Sequence, residues 1–474
     1  MISPRRPDIL PRTRGVALNE TDSTGKSGPT AALAARICAV TFATLDAPTV
    51  AVTKRLIADG IAVALAGTRE AAPGIAAAHV RAMGCNQNAS VWGFDFKTTA
   101  QNAAYLNAVS THVLDFEPMS NPPTHAVSPT VPAAFALAET LGADGSEVIA
   151  ACAKGFEMQG RILFAAKLER GKLKFHTPGV VGVMGSTVAA AHLLKLDAAQ
   201  LANALGIAAS RCSGISANTG SMVKCTHCGN AAASGVDAAL LAQRGFTANP
   251  DIFEARAGYV ATFFEAGFDY AALLAYGQPF RCVDPGMAIK FFPSKYPTHY
   301  AIGAALELRQ AIGDPSRITA LRIVTPEIDD ADRPQPRSGL EGKFSFQYTA
   351  AIALLDGAVG IDSFTDARRF SPDVVALLGK ISLTRDAAIS RDTRTMRVEM
   401  AAEMGDGMRQ RAVCTKPPGS WGAPVDPAMH RKKMRDCLGV RLGEPAIDAV
   451  LERLDRLEGA NAREIGELIG LLAG

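Results

Sequence analysis

The feature that most restricts this chain is a helical periodicity that continues almost unbroken from residue 29 to residue 285. Segments such as PTVAVTKRLIADGIAVAL, TVPAAFALAETL, GSEVIAACAKGFEMQGRIL and NAAASGVDAALLAQRG place apolar residues at i, i+3, i+4 and i+7, the spacing of one buried helix face. Short breaks such as LGADG and LKLDAAQ separate them, with Gly and Asp where helices stop and start. Small residues fill the contact faces, so helix axes can approach closely. Aromatic residues are only 6% of the chain, which favours packed helices over a β-sandwich.

The texture changes near residue 286. ITALRIVTPEI, KISLTRD, TRTMRVEMAAE and MRQRAVCTK have the alternating, β-branched pattern of strands, with FSFQYTAAIALLDG and SPDVVALLG reading as helices between them. From about Pro424 the pattern returns to helix. The predicted fold is therefore mainly α: a large all-helical domain over residues 29–285 and 419–474, with a smaller α+β lid domain inserted at residues 286–418. Residues 1–28, rich in Pro, Gly, Ser and Thr, read as a mobile tail.

Composition narrows the function. Lys+Arg number 49 against 46 Asp+Glu, too even a balance to predict binding to nucleic acid or an acidic membrane surface. No apolar run approaches the roughly 20 residues of a membrane span, and the N-terminus lacks the apolar core of a secretory signal. Nine scattered cysteines do not suggest a disulfide framework, so a reducing cytoplasm is the expected compartment.

Several apparent motifs fail on context. Gly25-Lys26-Ser27 ends like a phosphate-binding loop, but Glu20 stands where the first glycine belongs. Cys225 and Cys228 have CxxC spacing without a second pair, and read as small buried helix residues rather than a zinc site. Gly179, Gly182 and Gly185 lack the preceding strand of a dinucleotide loop; their spacing puts them on one helix face. No metal and no cofactor is predicted.

Four polar clusters interrupt the apolar pattern. His112, Asp115 and Glu117 precede a Pro-rich loop that ends at His125, where catalytic groups or a simple Asp/His cap would both fit. His176 lies just before the glycine-spaced helix, with Thr177 as its expected N-cap and Pro178 in its first turn, at a positive helix end that favours an anion. Lys224 stands alone in the otherwise uncharged segment 212–236, close to His227; it either meets a buried partner or faces a ligand carboxylate. Lys290 and Lys295 flank a Pro-broken segment at the domain junction, a usual place for a small-molecule cleft. Tyr348 begins a later helix and reads as either a core aromatic or a cleft-facing acid. Lysines suit carboxylates; Asp and His suit proton transfer at a carbon beside a carboxylate. The pattern predicts acid–base chemistry on a small di- or tricarboxylate.

The same residues resemble the MmgE/PrpD family. The resemblance runs from about residue 30 to the C-terminus. It is carried by HVLDFEP followed by His125 and SPTVPAAFALAE, by FHTPGVVGVMGSTVAAA, by SMVKCTHCGNAAASG, by IKFFPSKYPTHYA and by FSFQYTAAIALLDG. It implies a homodimer with cofactor-free catalysis in the cleft. Asp115, His125, His176 and Tyr348 match the family's catalytic positions, and Lys224, His227, Lys290 and Lys295 fall at substrate-binding ones. The implied reaction is first a hydro-lyase of the 2-methylcitrate dehydratase type. A cis-aconitate-type decarboxylase or an iminodisuccinate-type epimerase is the alternative, and a non-catalytic carboxylate-binding dimer a further one. Two departures stand out. Glu117, Pro118 and Met119 replace two acids and a hydroxyl of the usual first loop, and Lys295 stands where decarboxylase-like members carry His.

Overall fold

The computed structural model describes residues 28–167, 175–264 and 267–473. The expected tail, apart from Gly28, and the Gly25-Lys26-Ser27 segment lie outside them. Helices dominate the described residues, as the periodicity predicts. Asp46 caps the helix Ala47–Gly67 through Thr49 N at 2.8 Å, and Asp144 caps Gly145–Ala166 through Glu147 N at 3.0 Å. Each satisfies a backbone donor that the first turn leaves unpaired. The second half of Ala47–Gly67 is buried on every side, which its apolar composition all round requires.

The helix Val223–Gln243 packs along both Ala100–Val113 and Val183–Leu193. Glycine allows this approach: a Cβ at Gly235 would collide with Ser186 and the backbone of Thr187. One apolar core collects Leu33, Ile57, Val127, Phe156 and Val236, and the C-terminal helices join it through Met434, Leu438, Val450 and Leu472. A second core gathers Tyr300, Leu308, Ile323, Ile352 and Met400 around a four-stranded sheet. The sheet order is Ile381–Arg385, Ile318–Thr325, Val398–Met404, Arg409–Cys414. Its first pair is parallel, with Ile323 opposite Leu383, and the others are antiparallel. The helices Thr298–Ile312 and Phe346–Asp356 pack together in this second core.

Three local features differ from the sequence expectation. The glycine-spaced helix opens with a π turn, Pro178–Gly182, before the α-helix starts at Val183. Gly179, Gly182 and Gly185 then meet three different neighbours, Ser213, Pro129 and Gln159, rather than one helix face. Thr177 does not cap; its hydroxyl donates to Pro123 O at 3.3 Å. Short strand pairs also interrupt the helical region. One of them joins Met119–Ser120 to Met287–Ala288, antiparallel, with Met119 opposite Ala288. Two-residue strands carry no readable alternation, yet this pair stitches the chain just after Asp115 to the chain just before Lys290.

Candidate active site

The site begins where the helix Ala100–Val113 ends. Asp115 takes a left-handed backbone conformation (φ 53°), and its N–H donates to His112 O at 3.0 Å. Aspartate is one of the few non-glycine residues that tolerate this region. The turn directs the carboxylate at two lysines. Lys224, in the first turn of Val223–Gln243, donates to Asp115 Oδ2 at 2.7 Å. Lys290 pairs closely with Asp115 Oδ1 and donates to Asp115 O at 2.8 Å and Ser294 O at 3.3 Å. Burial by itself would raise the Asp115 pKa, but Lys224 and Lys290 outweigh it and hold the carboxyl well below the usual range. Burial pulls the fully enclosed Lys290 ammonium below its ordinary value, partly offset by Asp115.

The turn is also held from behind. Lys433 donates to Phe116 O at 2.9 Å and to both oxygens of the buried Asp59 at 2.9 and 2.8 Å. His430 lies 2.9 Å from the same carboxylate. The C-terminal helix Pro427–Leu438 thus fixes the backbone from which Asp115 projects.

Glu117 organises the imidazoles. Its Oε1 lies 2.5 Å from His112 Nδ1 and 2.9 Å from His125 Nδ1, and accepts from Ser128 Oγ at 2.7 Å. Burial opposes the charge on Glu117, yet His112 and His125 hold its carboxyl well below the ordinary range. Burial pushes His112 down to about 3, so its ring is neutral near pH 7. With Nδ1 turned to Glu117, His125 presents Nε2 to the cavity, 3.8 Å from Asp115 Oδ1. His176 is also depressed, by burial first and then by Lys224, and its Nδ1 lies 3.2 Å from His227 Nδ1.

These groups surround a cavity of about 610 Å³. Asp115, His125, His176, Lys224, Lys290 and Lys295 all line it, as do Asp329, Asp330, Arg333 and Arg391. Apolar wall comes from Met119, Phe175, Ile328 and Phe344. Lys295 forms a close ion pair with Asp330. His227 sits behind His176 rather than on the cavity wall. Tyr348 is elsewhere: it is fully buried in the second core, and its hydroxyl donates to Ser363 O at 2.6 Å. The core alternative therefore describes Tyr348, since its hydroxyl is spent on a backbone carbonyl and the residue does not line the cavity. Cys225 and Cys228 are buried thiols, and burial pushes Cys225 up to about 12, as the structural reading of that CxxC requires.

Sequence reasoning passed over His112 and Glu117 as site residues, and Arg333 altogether. The signal for the first two was present: an acid and an imidazole inside the otherwise apolar HVLDFEP. Glu117, which stood out as a departure from the usual loop, is hydrogen-bonded to His112 and ion-paired with His125.

Two family models match the chain in tandem. The MmgE/PrpD N-terminal domain covers residues 31–271, and the MmgE/PrpD C-terminal domain covers residues 292–456. The chain belongs to the MmgE/PrpD family. Among its relatives is the cis-aconitate decarboxylase of Mus musculus, 29% identical over 85% of this chain and 86% of that protein. The cis-aconitate decarboxylase of Homo sapiens matches at the same identity and the same coverage. The 2-methylcitrate dehydratase of Cupriavidus necator is 27% identical over 52% of each chain. No helix among the described residues is long and apolar enough to cross a membrane.

Proposed function

We propose that this protein is a lyase that moves a proton at a carbon beside a carboxylate of a small tricarboxylate, and needs no cofactor to do so. The observation that carries the proposal is His125, set between Glu117 at 2.9 Å and the Asp115–Lys224–Lys290 cluster on the cavity wall. A carboxylate on Nδ1 fixes the tautomer and stabilises the imidazolium that forms when Nε2 takes a proton. Lys224 and Lys290 then face the negative charge that spreads onto the substrate carboxylate as the C–H bond breaks. A bound carboxylate shares these two lysines with Asp115. Lys295 and Arg333 hold the remaining carboxylates, and His176 is a second acid–base group. Tyr348 has a structural role.

Loss of water is the first outcome. The C–H proton goes to His125 and the leaving hydroxyl takes a proton from a cationic neighbour, which gives an alkene and water. Decarboxylation is the second reading. The C–C bond to a carboxylate breaks, carbon dioxide leaves, and the carbanion takes a proton from protonated His125. It is favoured by similarity to cis-aconitate decarboxylases over 85% of the chain, against 52% for the dehydratase. We also propose a cytoplasmic homodimer in which residues 286–418 act as a lid on the helical domain.

The test is proton NMR of the purified protein in D₂O with citrate, 2-methylcitrate, cis-aconitate, malate and iminodisuccinate. Deuterium entering a C–H beside a carboxylate supports proton transfer, and the products separate dehydration from decarboxylation. If none of them exchanges or turns over, and none raises the melting temperature, the proposal fails.

A further inference from the structure

Three imidazoles cluster at the cavity wall: His125 and His176 line it, and the ring of His112 packs against both. One ring nitrogen each from His112, His125 and His176 lies within 4.8 Å of the other two. The Nδ1 atoms of His112 and His125 are turned to Glu117, and that of His176 to His227. In His112 and His125 this leaves Nε2 to face a ligand, and in His176 Nε2 is the nitrogen turned away from His227. The Nε2 of His112 is 1% exposed at residue level and has no hydrogen-bond partner. Two of the three rings thus have a carboxylate on the nitrogen far from the ligand, an arrangement that orients imidazoles around zinc, and the third has the His227 imidazole there.

We propose that His112, His125 and His176 form a binding site for a divalent transition metal of the zinc class, and that occupancy shuts the active site. A zinc ion with nitrogens at about 2.1 Å in tetrahedral geometry needs its ligands about 3.4 Å apart, so the three rings draw in and turn to bring their free nitrogens together. The fourth position opens toward the cavity and takes water. The neighbouring trio Asp115, Glu117 and His125 is the poorer site. Asp115 already neutralises Lys224 and Lys290, and a dication there would gather three cations round one carboxylate. Cys225 and Cys228 do not compete, because buried thiols resist the deprotonation that metal binding needs. Metal on His125 Nε2 removes the lone pair that takes the substrate proton. Binding does not depend on the lyase reading; the inhibition does.

The experiment is titration of the EDTA-treated, desalted protein with cobalt(II) chloride, followed by zinc chloride. One cobalt per chain with the intense visible bands of a four-coordinate ion, without a sulfur-to-cobalt charge-transfer band, and displaced by one zinc, supports the site. His176→Asn should weaken cobalt binding by roughly 100-fold and Glu117→Gln by about 10-fold to 100-fold. Cys225→Ala should leave it unchanged. Thermal melts identify any variant that fails to fold, and His176→Asn, at the outer end of the trio, removes a ligand without opening the inner helix. Absence of the bands, or affinity unchanged in a folded His176→Asn, overturns the site. One zinc per chain should also stop deuterium exchange, with EDTA restoring it; exchange that continues with zinc bound overturns the inhibitory role. If the metal-free protein exchanges no substrate, the lyase reading fails while the cobalt spectrum still decides the site.

Discussion

Replacing Asp115 with Asn removes one negative charge from between two lysines and changes little else. Asparagine tolerates the left-handed backbone at this position about as well as aspartate, so the turn is not strained by the exchange. At the Lys224–Asp115 separation of 2.7 Å, an effective dielectric of about 20 makes the pair worth about 6 kcal/mol before desolvation. The net loss is smaller, because Lys290 keeps Asp115 O and Ser294 O as acceptors. Removing one partner of a buried pair costs about 3–5 kcal/mol, since the remaining charge is left uncompensated. For a chain of this size that is a fall of several degrees in melting temperature. The substrate reading adds a second consequence. A tricarboxylate can supply the missing anion, so it should raise the melting temperature of Asp115→Asn by more than that of the parent. Differential scanning fluorimetry with and without citrate or cis-aconitate measures both quantities. A variant that melts with the parent and gains no extra stabilisation from either anion would refute the claim that Asp115 neutralises the two lysines.

Other changes separate the roles of individual residues. His125→Gln should lower the rate of deuterium exchange by about 10²–10⁴-fold with little change in melting temperature, and unchanged exchange kinetics would remove His125 as the proton-transfer group. Tyr348→Phe should leave kcat and KM as they are and cost about 0.5–1.5 kcal/mol in urea unfolding, the worth of its bond to Ser363 O. A fall in kcat would return Tyr348 to the reaction. Burial pushes His192 and His299 down to about 3 in the folded chain, whereas the unfolded rings titrate near 6.5. Below pH 6.5 the unfolded state binds protons that the folded state refuses. Stability is therefore complete above about pH 6.5 and falls toward pH 3 by up to about 1.4 kcal/mol per pH unit for each ring. Urea midpoints at about pH 7.5 and about pH 5 check the sign, and a flat profile would contradict it.

Much of this was legible in the chain. The helical region, the four strands of the later sheet and the return to helix follow from the spacing and runs of their apolar residues. Lys224 was legible for a different reason: a lone charge among small and apolar residues must have a partner. What the sequence could not show is which partner. Lys290 reaches Asp115 across 175 residues because the strands Met119–Ser120 and Met287–Ala288 pair, and strands of two residues leave no pattern. Tyr348 failed in the opposite sense. A tyrosine in the first turn of a helix that is apolar almost all round can face the core or the cleft, and the position of Ser363 O decides between them. The Glu117–His112–His125 cluster was half legible: the residues were noticed, but comparison with a typical loop made Glu117 look like a loss. Its burial shows what it does instead, since a fully buried carboxylate needs partners: His112 and Ser128 hydrogen-bond to it and His125 lies 2.9 Å away.

The charge arrangement explains how such a pocket survives without its ligand. Lys224 and Lys290 share Asp115, Lys295 pairs with Asp330, and Arg333 lies 3.2 Å from Glu341. These cations thus have protein carboxylates as partners before any substrate arrives. Anion binding in this cavity is an exchange of partners, not the filling of an unpaired positive hole. The exchange is asymmetric. Asp330 is more than half exposed and returns to water readily, so the Lys295 end yields easily. Asp115 is buried, and its backbone is held by Lys433 and Asp59 from the opposite side, so it cannot swing away. A substrate carboxylate at the inner end must therefore sit beside Asp115 and share the two lysines with it. That arrangement sets two carboxylates and two ammonium groups beside His125 when the substrate is fully bound.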